Sequence, residues 1–196
     1  MTDARWSRAE ESLQAQTQIL NAAGRAFVAR GVGPTTMSHV AEEAGCSRAT
    51  LYRYFRTRED LHVAFVARRG RELAPQIIER VGTSEAPEIR WRKIIQEAVR
   101  AVREQPELLV WFEPEQAGHT ARLSRGSELL EALTLGFMDS AAPLHSVAAD
   151  GELLIRWMIR IIISLLSMPG ESVLEERQMI ERFVLPGLTE NTRGNR

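Results

Sequence analysis

The sequence predicts an all-α protein with a small N-terminal three-helix head joined to a larger C-terminal helical body. Apolar residues recur at spacings of three and four along most of the 196 residues, which is the period of an amphipathic helix. No stretch alternates at period two as a half-buried strand does. Glycine, proline and capping residues stand between the periodic segments and divide the chain into separate helices.

Three helices, each with a residue that begins or ends it, are predicted in the head. They are Glu10–Arg30 ended by Gly31, Met37–Ala44 capped by Thr36, and Arg48–Phe55 capped by Ser47. Glycine adopts the left-handed conformation that commonly ends a helix, and a serine or threonine oxygen accepts a free N–H of the first turn.

The body is predicted to begin with a longer helix. Thr57 and Asp60 at its start have the spacing of a capping box, and Pro75 is expected to interrupt or kink it. Further helices are predicted at residues 88–104, 106–112, 121–140, 147–167 and 172–184, and residues 189–196 are expected to fray. The predicted domains are residues 1–60 and 61–196.

The composition excludes several classes of protein. Hydrophobic residues make up 44% and charged residues 26% of the chain, which excludes global disorder. The single cysteine, Cys46, excludes an internal disulfide and a thiolate-rich metal site. The first residues lack the apolar core of a secretory signal, and the longest apolar run, 153–168, is too short and too charged to span a membrane. We therefore expect a cytoplasmic protein without a membrane segment.

The second and third helices, with a glycine-containing turn between them, form a helix-turn-helix pattern. Leu51 and Phe55 lie on one side of the third helix, and rows rich in hydrogen-bond donors, such as Arg48 with Tyr52, lie on other sides. The segment 44–58 contains four arginines and no acid, although the net charge of the whole chain is −1. A local basic patch of this kind indicates an anionic partner, with a solvated helix face as the alternative.

These features are combined in the segment Thr35–Leu61, TTMSHVAEEAGCSRATLYRYFRTREDL. It resembles the DNA-binding signature of TetR-type (tetracycline-repressor-type) transcriptional regulators. The resemblance covers the helix-turn-helix, its "LY-x-YF" core and the acidic start of the next helix. Ala49 stands where the family usually has a residue such as glycine, and Cys46 stands where an aliphatic residue is common.

The resemblance implies a homodimer that binds a palindromic operator in double-stranded DNA. Arg48 is expected to contact guanine O6 and N7, and Ala49 and Thr50 to touch a base edge or a thymine methyl group. The residues expected to bind phosphate are Thr36, Ser47, Tyr52, Tyr54 and Arg58. Two alternatives stay open: both tyrosines could merely cover the core, and Arg5 and Arg8 could form either a minor-groove arm or a solvated tail.

Two apolar segments near the C-terminus predict a dimer interface, which the resemblance makes a four-helix interface. The residues predicted for it are Ile155, Ile159, Ile162, Ile163, Leu166, Ile180, Phe183 and Val184. Arg156 and Arg160 share one polar edge of the first of these helices. That edge could be a rim, an intersubunit ion pair or a counter-charge for a ligand.

Aromatic residues of the body predict a pocket for a small-molecule effector, with plain core packing as the alternative. The residues predicted to line it are Trp91, Ile95, Trp111, Phe112, Leu133, Phe137 and Trp157. The apolar character of the body favours a lipophilic or aromatic effector without identifying it.

Catalysis, a metal site and a cofactor are not expected. The four histidines, among them His39 and His62, are scattered without metal-binding spacing, and no glycine-rich phosphate loop occurs. The resemblance therefore implies a ligand-responsive transcriptional repressor. The alternatives are a helical carrier or enzyme that does not bind DNA, and a module that recruits another protein.

Overall fold

The computed structural model describes residues 3–82, 87–113 and 151–186, and these residues form helices and connecting turns without a strand. The chain divides into two compact units, Met1–Phe65 and Val66–Arg196. This division falls slightly after the predicted boundary between residues 60 and 61. The reason is packing, because the ring of Phe65 lies edge-on to the ring of Phe27, with 5.2 Å between their centroids.

The first unit contains helices α1 (Asp3–Arg30), α2 (Met37–Glu43) and α3 (Arg48–Tyr54), and the first turns of α4 (Arg58–Val81). Helix α1 begins earlier than the predicted Glu10 and includes Arg5 and Arg8. It ends as predicted, since Gly31 follows it with a φ of 79°.

The turn between α2 and α3 is held by backbone hydrogen bonds. Gly45 has a φ of 65°. Its N–H donates to the carbonyl of Glu42, and the N–H of Cys46 donates to the carbonyl of Ala41, both at 3.0 Å. This pair of bonds is a Schellman motif, which ends α2 sharply and lets α3 begin only three residues after Gly45.

The core of the first unit is built from apolar side chains of all four helices. Phe27, Val40, Leu51 and Leu61 are each at most 1% exposed, and Phe55 is also buried. The burial of Leu51 and Phe55 confirms the predicted inner side of α3. Burying side chains of this size stabilises a fold by about 1.5–3 kcal/mol each, so α3 is firmly anchored along one side.

In its described residues, the second unit contains the rest of α4 and four further helices. They are α5 (Pro87–Arg103), α6 (Pro106–Leu109) with a 3-10 turn at Val110–Phe112, α7 (Gly151–Ser167), and α8 (Val173–Met179) with a π-helical turn at Ile180–Val184. Helix α4 continues through Pro75 although that residue has no N–H to donate, so the predicted interruption does not occur. The predicted helix at 121–140 and the tail at 189–196 lie outside the described residues.

An ion pair between half-buried Arg103 and buried Glu176 connects α5 with α8. The guanidinium of Arg103 donates to both carboxylate oxygens of Glu176, at 2.9 and 2.6 Å, and the backbone N–H of Gly170 donates to Oε1 at 3.0 Å. The hydrogen bonds from Arg103 hold the pKa of Glu176 below its ordinary value, and the bond from the Gly170 N–H lowers it further. A Cβ at Gly170 would lie 2.9 Å from Glu176 Cγ, so glycine is needed where the α7–α8 connection passes over this carboxylate.

Candidate nucleic-acid interface and ligand cavity

The outer side of α3 carries the residues predicted to read bases. Ser47, Arg48 and Ala49 are exposed and Thr50 is half-buried. They stand at the N-terminal end of a helix whose opposite side, at Leu51, is completely buried. Anchoring on one side and exposure of the first turn on the other allow this end of the helix to contact another molecule.

Ser47 fixes the first turn of α3. Its Oγ accepts the backbone N–H of Thr50 at 3.0 Å, which confirms the predicted cap. The hydroxyl groups of Ser47 and Thr50 also share a hydrogen bond of 2.9 Å. The cap therefore orients the Thr50 side chain as well as the backbone, and it holds two of the predicted contact residues in one arrangement.

The two tyrosines of α3 lie in different surroundings. Tyr52 is 41% exposed, so its ring does not merely cover the core. Tyr54 is half-buried, and the guanidinium of Arg53 lies over it with Cζ 5.1 Å from the ring centroid. Both side chains reach the surface, while contact of either phenol with phosphate stays a prediction.

Thr36 and Arg58 hold the connection into α2. Thr36 forms a reciprocal capping box with His39, in which each backbone N–H donates to the other side chain at 3.3 Å. Arg58 Nη1 donates to the carbonyls of Gly33 at 2.8 Å and Thr35 at 3.3 Å. The cap at Thr36 was predicted, whereas the bond that the His39 side chain returns and the contacts of Arg58 were not. The signal for the capping box was a histidine three residues after Thr36, in the place where glutamate or glutamine is usual.

The positive charges of this unit are unevenly paired. Arg25 forms an ion pair with Glu43 at 2.7 Å. Among the described residues, by contrast, no carboxylate forms an ion pair with Arg48, Arg53 or Arg56. Cations without an internal counter-charge attract the phosphates of a nucleic acid, and an exposed helix end of this size enters a major groove.

The second unit contains a cavity of about 130 Å³. Its described wall comes from α4, α5, α6 with the following 3-10 turn, and α7, and it is almost entirely apolar. Arg69 is the charged residue in the wall. Its Nη1 lies 2.9 Å from a Glu72 carboxylate oxygen, and its Nη2 forms an ion pair with Glu107 of α6.

Only part of the predicted pocket is brought together at this cavity. Trp111 and Phe112 line it. Trp91 and Ile95 are buried but do not belong to its wall, and Trp157 is 36% exposed, away from the cavity. The other two predicted residues, Leu133 and Phe137, lie outside the described residues.

The residues predicted for a dimer interface fall into three groups. Ile159, Ile162, Ile163 and Leu166 line the cavity, and their part in a dimer interface stays a prediction. Ile180 and Val184 are buried, whereas Phe183 is 76% exposed. The side chain of Ile155 lies outside the described residues. Because α7 is apolar nearly all round, its sequence did not indicate which side faces the unit's own interior.

A different set of apolar residues is exposed around the C-terminal helices. These side chains belong to α7, α8, the connection between them and the π-helical turn, and sequence reasoning had selected only Phe183 for an interface. The full set is Leu153, Trp157, Met168, Val173, Leu174, Met179 and Phe183. We call it the C-terminal apolar surface.

In the parts of the chain that the structure describes, no group of three or more histidine, cysteine or acidic side chains is arranged to hold a metal ion. None of the helices in those parts has the length and hydropathy needed to cross a bilayer.

Comparison with known proteins relates both units to one family. Residues 19–65 match the family described as bacterial regulatory proteins, tetR family. An uncharacterized HTH-type transcriptional regulator of Mycobacterium tuberculosis (strain H37Rv) is 36% identical over 184 residues, which cover 94% of this chain and 90% of that protein.

Solved structures share the fold. The TetR family repressor AlkX from Dietzia sp. superposes with a TM-score of 0.65 at 23% identity, covering 91% of this chain and 98% of that one. RolR in complex with resorcinol superposes with a TM-score of 0.63 at 17% identity, covering 91% and 89% of the two chains. At these identities the likeness extends to the fold alone.

Proposed function

The chain belongs to the TetR family of bacterial regulatory proteins, a DNA-binding and non-enzymatic family, and from this premise we propose that it is a homodimeric transcriptional repressor. The repressor binds a palindromic operator and is released from it by a small lipophilic effector. Its place of action is the cytoplasm. The observation that carries the proposal is the N-terminal end of α3, which is exposed, capped and positively charged on a helix whose other side is buried.

The first turn of this helix recognises the base sequence of the operator. Arg48 presents two parallel N–H donors to guanine O6 and N7, and the small side chains of Ala49 and Thr50 allow close approach to a base edge or a thymine methyl group. Tyr52 and Tyr54, with Ser47 and Thr36, bind phosphates and fix the register. Arg58 contributes a phosphate contact in addition to its bonds with the α1–α2 loop.

The C-terminal apolar surface binds a second copy of the chain. Several exposed apolar side chains on two consecutive helices are typical of an interaction site. A two-fold axis brings the same patch of each copy together. It also gives the dimer two heads, which reach successive major grooves about 34–36 Å apart. The remaining predicted residue of α7, Ile155, is placed with this interface, and Arg156 and Arg160 with its polar rim.

The effector is assigned to the cavity of the second unit. Leu73, Ala74 and Ile77 of α4 belong to its wall, and the same helix supplies Leu61 and Phe65 to the core of the first unit. A ligand that displaces α4 therefore acts on both units. Lowering operator affinity a hundredfold requires a coupling free energy of about 2.7 kcal/mol, which a single buried ligand supplies.

The test is selection of bound sequences from a pool of random duplex DNA, followed by sedimentation of the free protein. We expect a palindromic motif whose half-sites are about 10 base pairs apart, and a dimer in solution. A carrier or enzyme without DNA binding would enrich no motif at physiological salt. A module that recruits another protein would sediment as a monomer. Either result would overturn the proposal.

A further inference from the structure

The cavity of the second unit is chemically uniform. Leu73, Ala74 and Ile77 form one side of the wall, and Phe112 and Ile163 belong to others. Apart from the guanidinium of Arg69 and the indole N–H of Trp111, the described side chains of the wall carry no hydrogen-bonding group. A polar ligand that enters such a wall loses its bonds with water and gains few in return.

The charged residue of the wall, Arg69, already forms two ion pairs. Arg69 extends one arm of its guanidinium to Glu72, at 2.9 Å, and the other to Glu107. Glu72 also accepts from Arg68 Nε at 2.7 Å. A ligand carboxylate or phosphate would have to displace one of these two glutamates from Arg69, and the displaced carboxylate would then repel the anion. The wall therefore disfavours an anionic ligand.

The volume limits the size of the occupant. The cavity measures about 130 Å³, and an apolar protein cavity of about 150 Å³ stays dry and accommodates benzene. One six-membered ring with a short substituent, or a branched hydrocarbon of similar bulk, fills such a space. A fused ring system or a long acyl chain is larger than this volume and would extend beyond the described wall.

We propose that the effector is a compact, uncharged, single-ring or similarly small hydrocarbon-like molecule, and that the ion pairs of Arg69 exclude acids of the same size. The identification as effector rests on the proposed function, whereas the ligand class rests on the cavity. The ion pairs that Arg69 forms with Glu72 and Glu107 thus determine the specificity against anions. Ile163 limits the size of the ligand.

The test measures binding of toluene and benzoate, which have nearly the same ring and differ in charge, to the full chain by isothermal titration. Toluene is expected to bind saturably with one molecule per chain and at least tenfold more tightly than benzoate. Benzoate binding as tight as toluene binding, or no saturable toluene binding, would overturn the inference. These wild-type measurements decide the question even if a variant fails to fold.

Two variants test the residues. Glu107→Gln removes one carboxylate from Arg69 and is expected to tighten benzoate binding severalfold while leaving toluene binding unchanged. Ile163→Ala widens the cavity and should admit naphthalene. Leu165→Ala removes a similar volume from the same helix at a buried residue that is not in the wall, and it should not admit naphthalene. Wild-type binding of benzoate by Glu107→Gln would contradict the role given to Arg69, and exclusion of naphthalene by Ile163→Ala would contradict the role given to Ile163.

A mobility-shift assay separates this inference from the proposed function. Toluene, but not benzoate, is expected to release the protein from its selected duplex. A protein that binds toluene but no DNA would retain the ligand class and refute the repressor. A protein that binds a specific duplex but not toluene would retain the repressor and refute the ligand class.

Discussion

Replacing Arg48 with alanine removes the side chain that we expect to read guanine. Arg48 is exposed at the first turn of α3, and the Ser47 cap is made without it. Surface changes of this kind alter the free energy of unfolding by no more than about 0.5 kcal/mol. The variant therefore folds, and any loss of binding reports on the contact with DNA.

The size of the effect follows from the geometry of a dimer. A bidentate arginine–guanine contact contributes about 1–3 kcal/mol of discrimination. Two heads make the contact twice, so Arg48→Ala is expected to cost about 2–6 kcal/mol on the operator. At about 1.4 kcal/mol for each tenfold change, that is a loss of at least about 30-fold. On DNA that lacks the operator, Arg48→Ala binds more weakly than the wild type only because a positive charge has been removed.

The assay is a mobility shift on the selected duplex and on a scrambled duplex of the same composition. Arg53→Ala is the matched control, because it removes the same charge from the exposed part of the same helix. It is expected to weaken both duplexes by a similar factor. If Arg48→Ala also weakened both duplexes equally, Arg48 would be a phosphate contact and the base-reading assignment would be refuted.

The remaining predictions concern a second DNA contact, two caps and the ion pair of Arg103 with Glu176. Tyr54→Phe should weaken binding to operator and to scrambled DNA by a similar factor of at least about fivefold, because one hydrogen bond of about 0.5–1.5 kcal/mol is lost in each of two heads. A loss at a single base pair in competition with mutated duplexes would contradict the phosphate assignment. Ser47→Ala and Ser172→Ala each remove a cap from a seven-residue helix and should each lower the free energy of unfolding in urea by about 1 kcal/mol. Only the change at Ser47 should weaken DNA binding, so equal binding losses would count against α3 as the contact element. Glu176→Gln should cost about 2 kcal/mol at neutral pH, because it weakens the charge-assisted bonds from Arg103. Folding lowers the pKa of Glu176, so its contribution to stability is complete above the unfolded pKa and is lost as the pH falls through the folded pKa. In urea unfolding between neutral pH and about pH 3, the free energies of unfolding of the wild type and Glu176→Gln should therefore become equal in acid. A difference that stays constant with pH would exclude the ion pair as the cause.

Local features of the first unit could be predicted because each depends on residues close in sequence. The caps at Ser47 and Thr36 join residues three apart. The capping box of Thr57 and Asp60 is also confirmed, since each backbone N–H donates to the other side chain, at 2.9 and 3.0 Å. In these cases the hydrogen-bonding groups and the helical geometry suffice to determine the partner.

Contacts between distant residues could not be predicted in this way. Arg103 and Glu176 are 73 residues apart, and nothing near either residue indicates the other. Arg58 was predicted to bind phosphate, and nothing near it in the sequence indicated that it also reaches back to the loop before α2. Such pairs depend on how helices pack, which the spacing of one segment does not determine.

The cavity shows the same limit for apolar residues. In α7, Ile163 lines the cavity and Trp157 is exposed, although both were predicted for other surfaces. A helix that is apolar on nearly every side carries no periodic signal for its orientation. Which of its sides faces the interior is decided by neighbouring helices.

Methylation interference on the selected operator tests the central claim most directly. A methyl group at guanine N7 blocks the atom that Arg48 is expected to contact. We predict interference at two symmetry-related guanines about one helical turn apart in the wild-type complex, and none at those guanines with Arg48→Ala. Binding that tolerates N7 methylation at every guanine, or interference that Arg48→Ala leaves unchanged, would contradict the placement of α3 in the major groove.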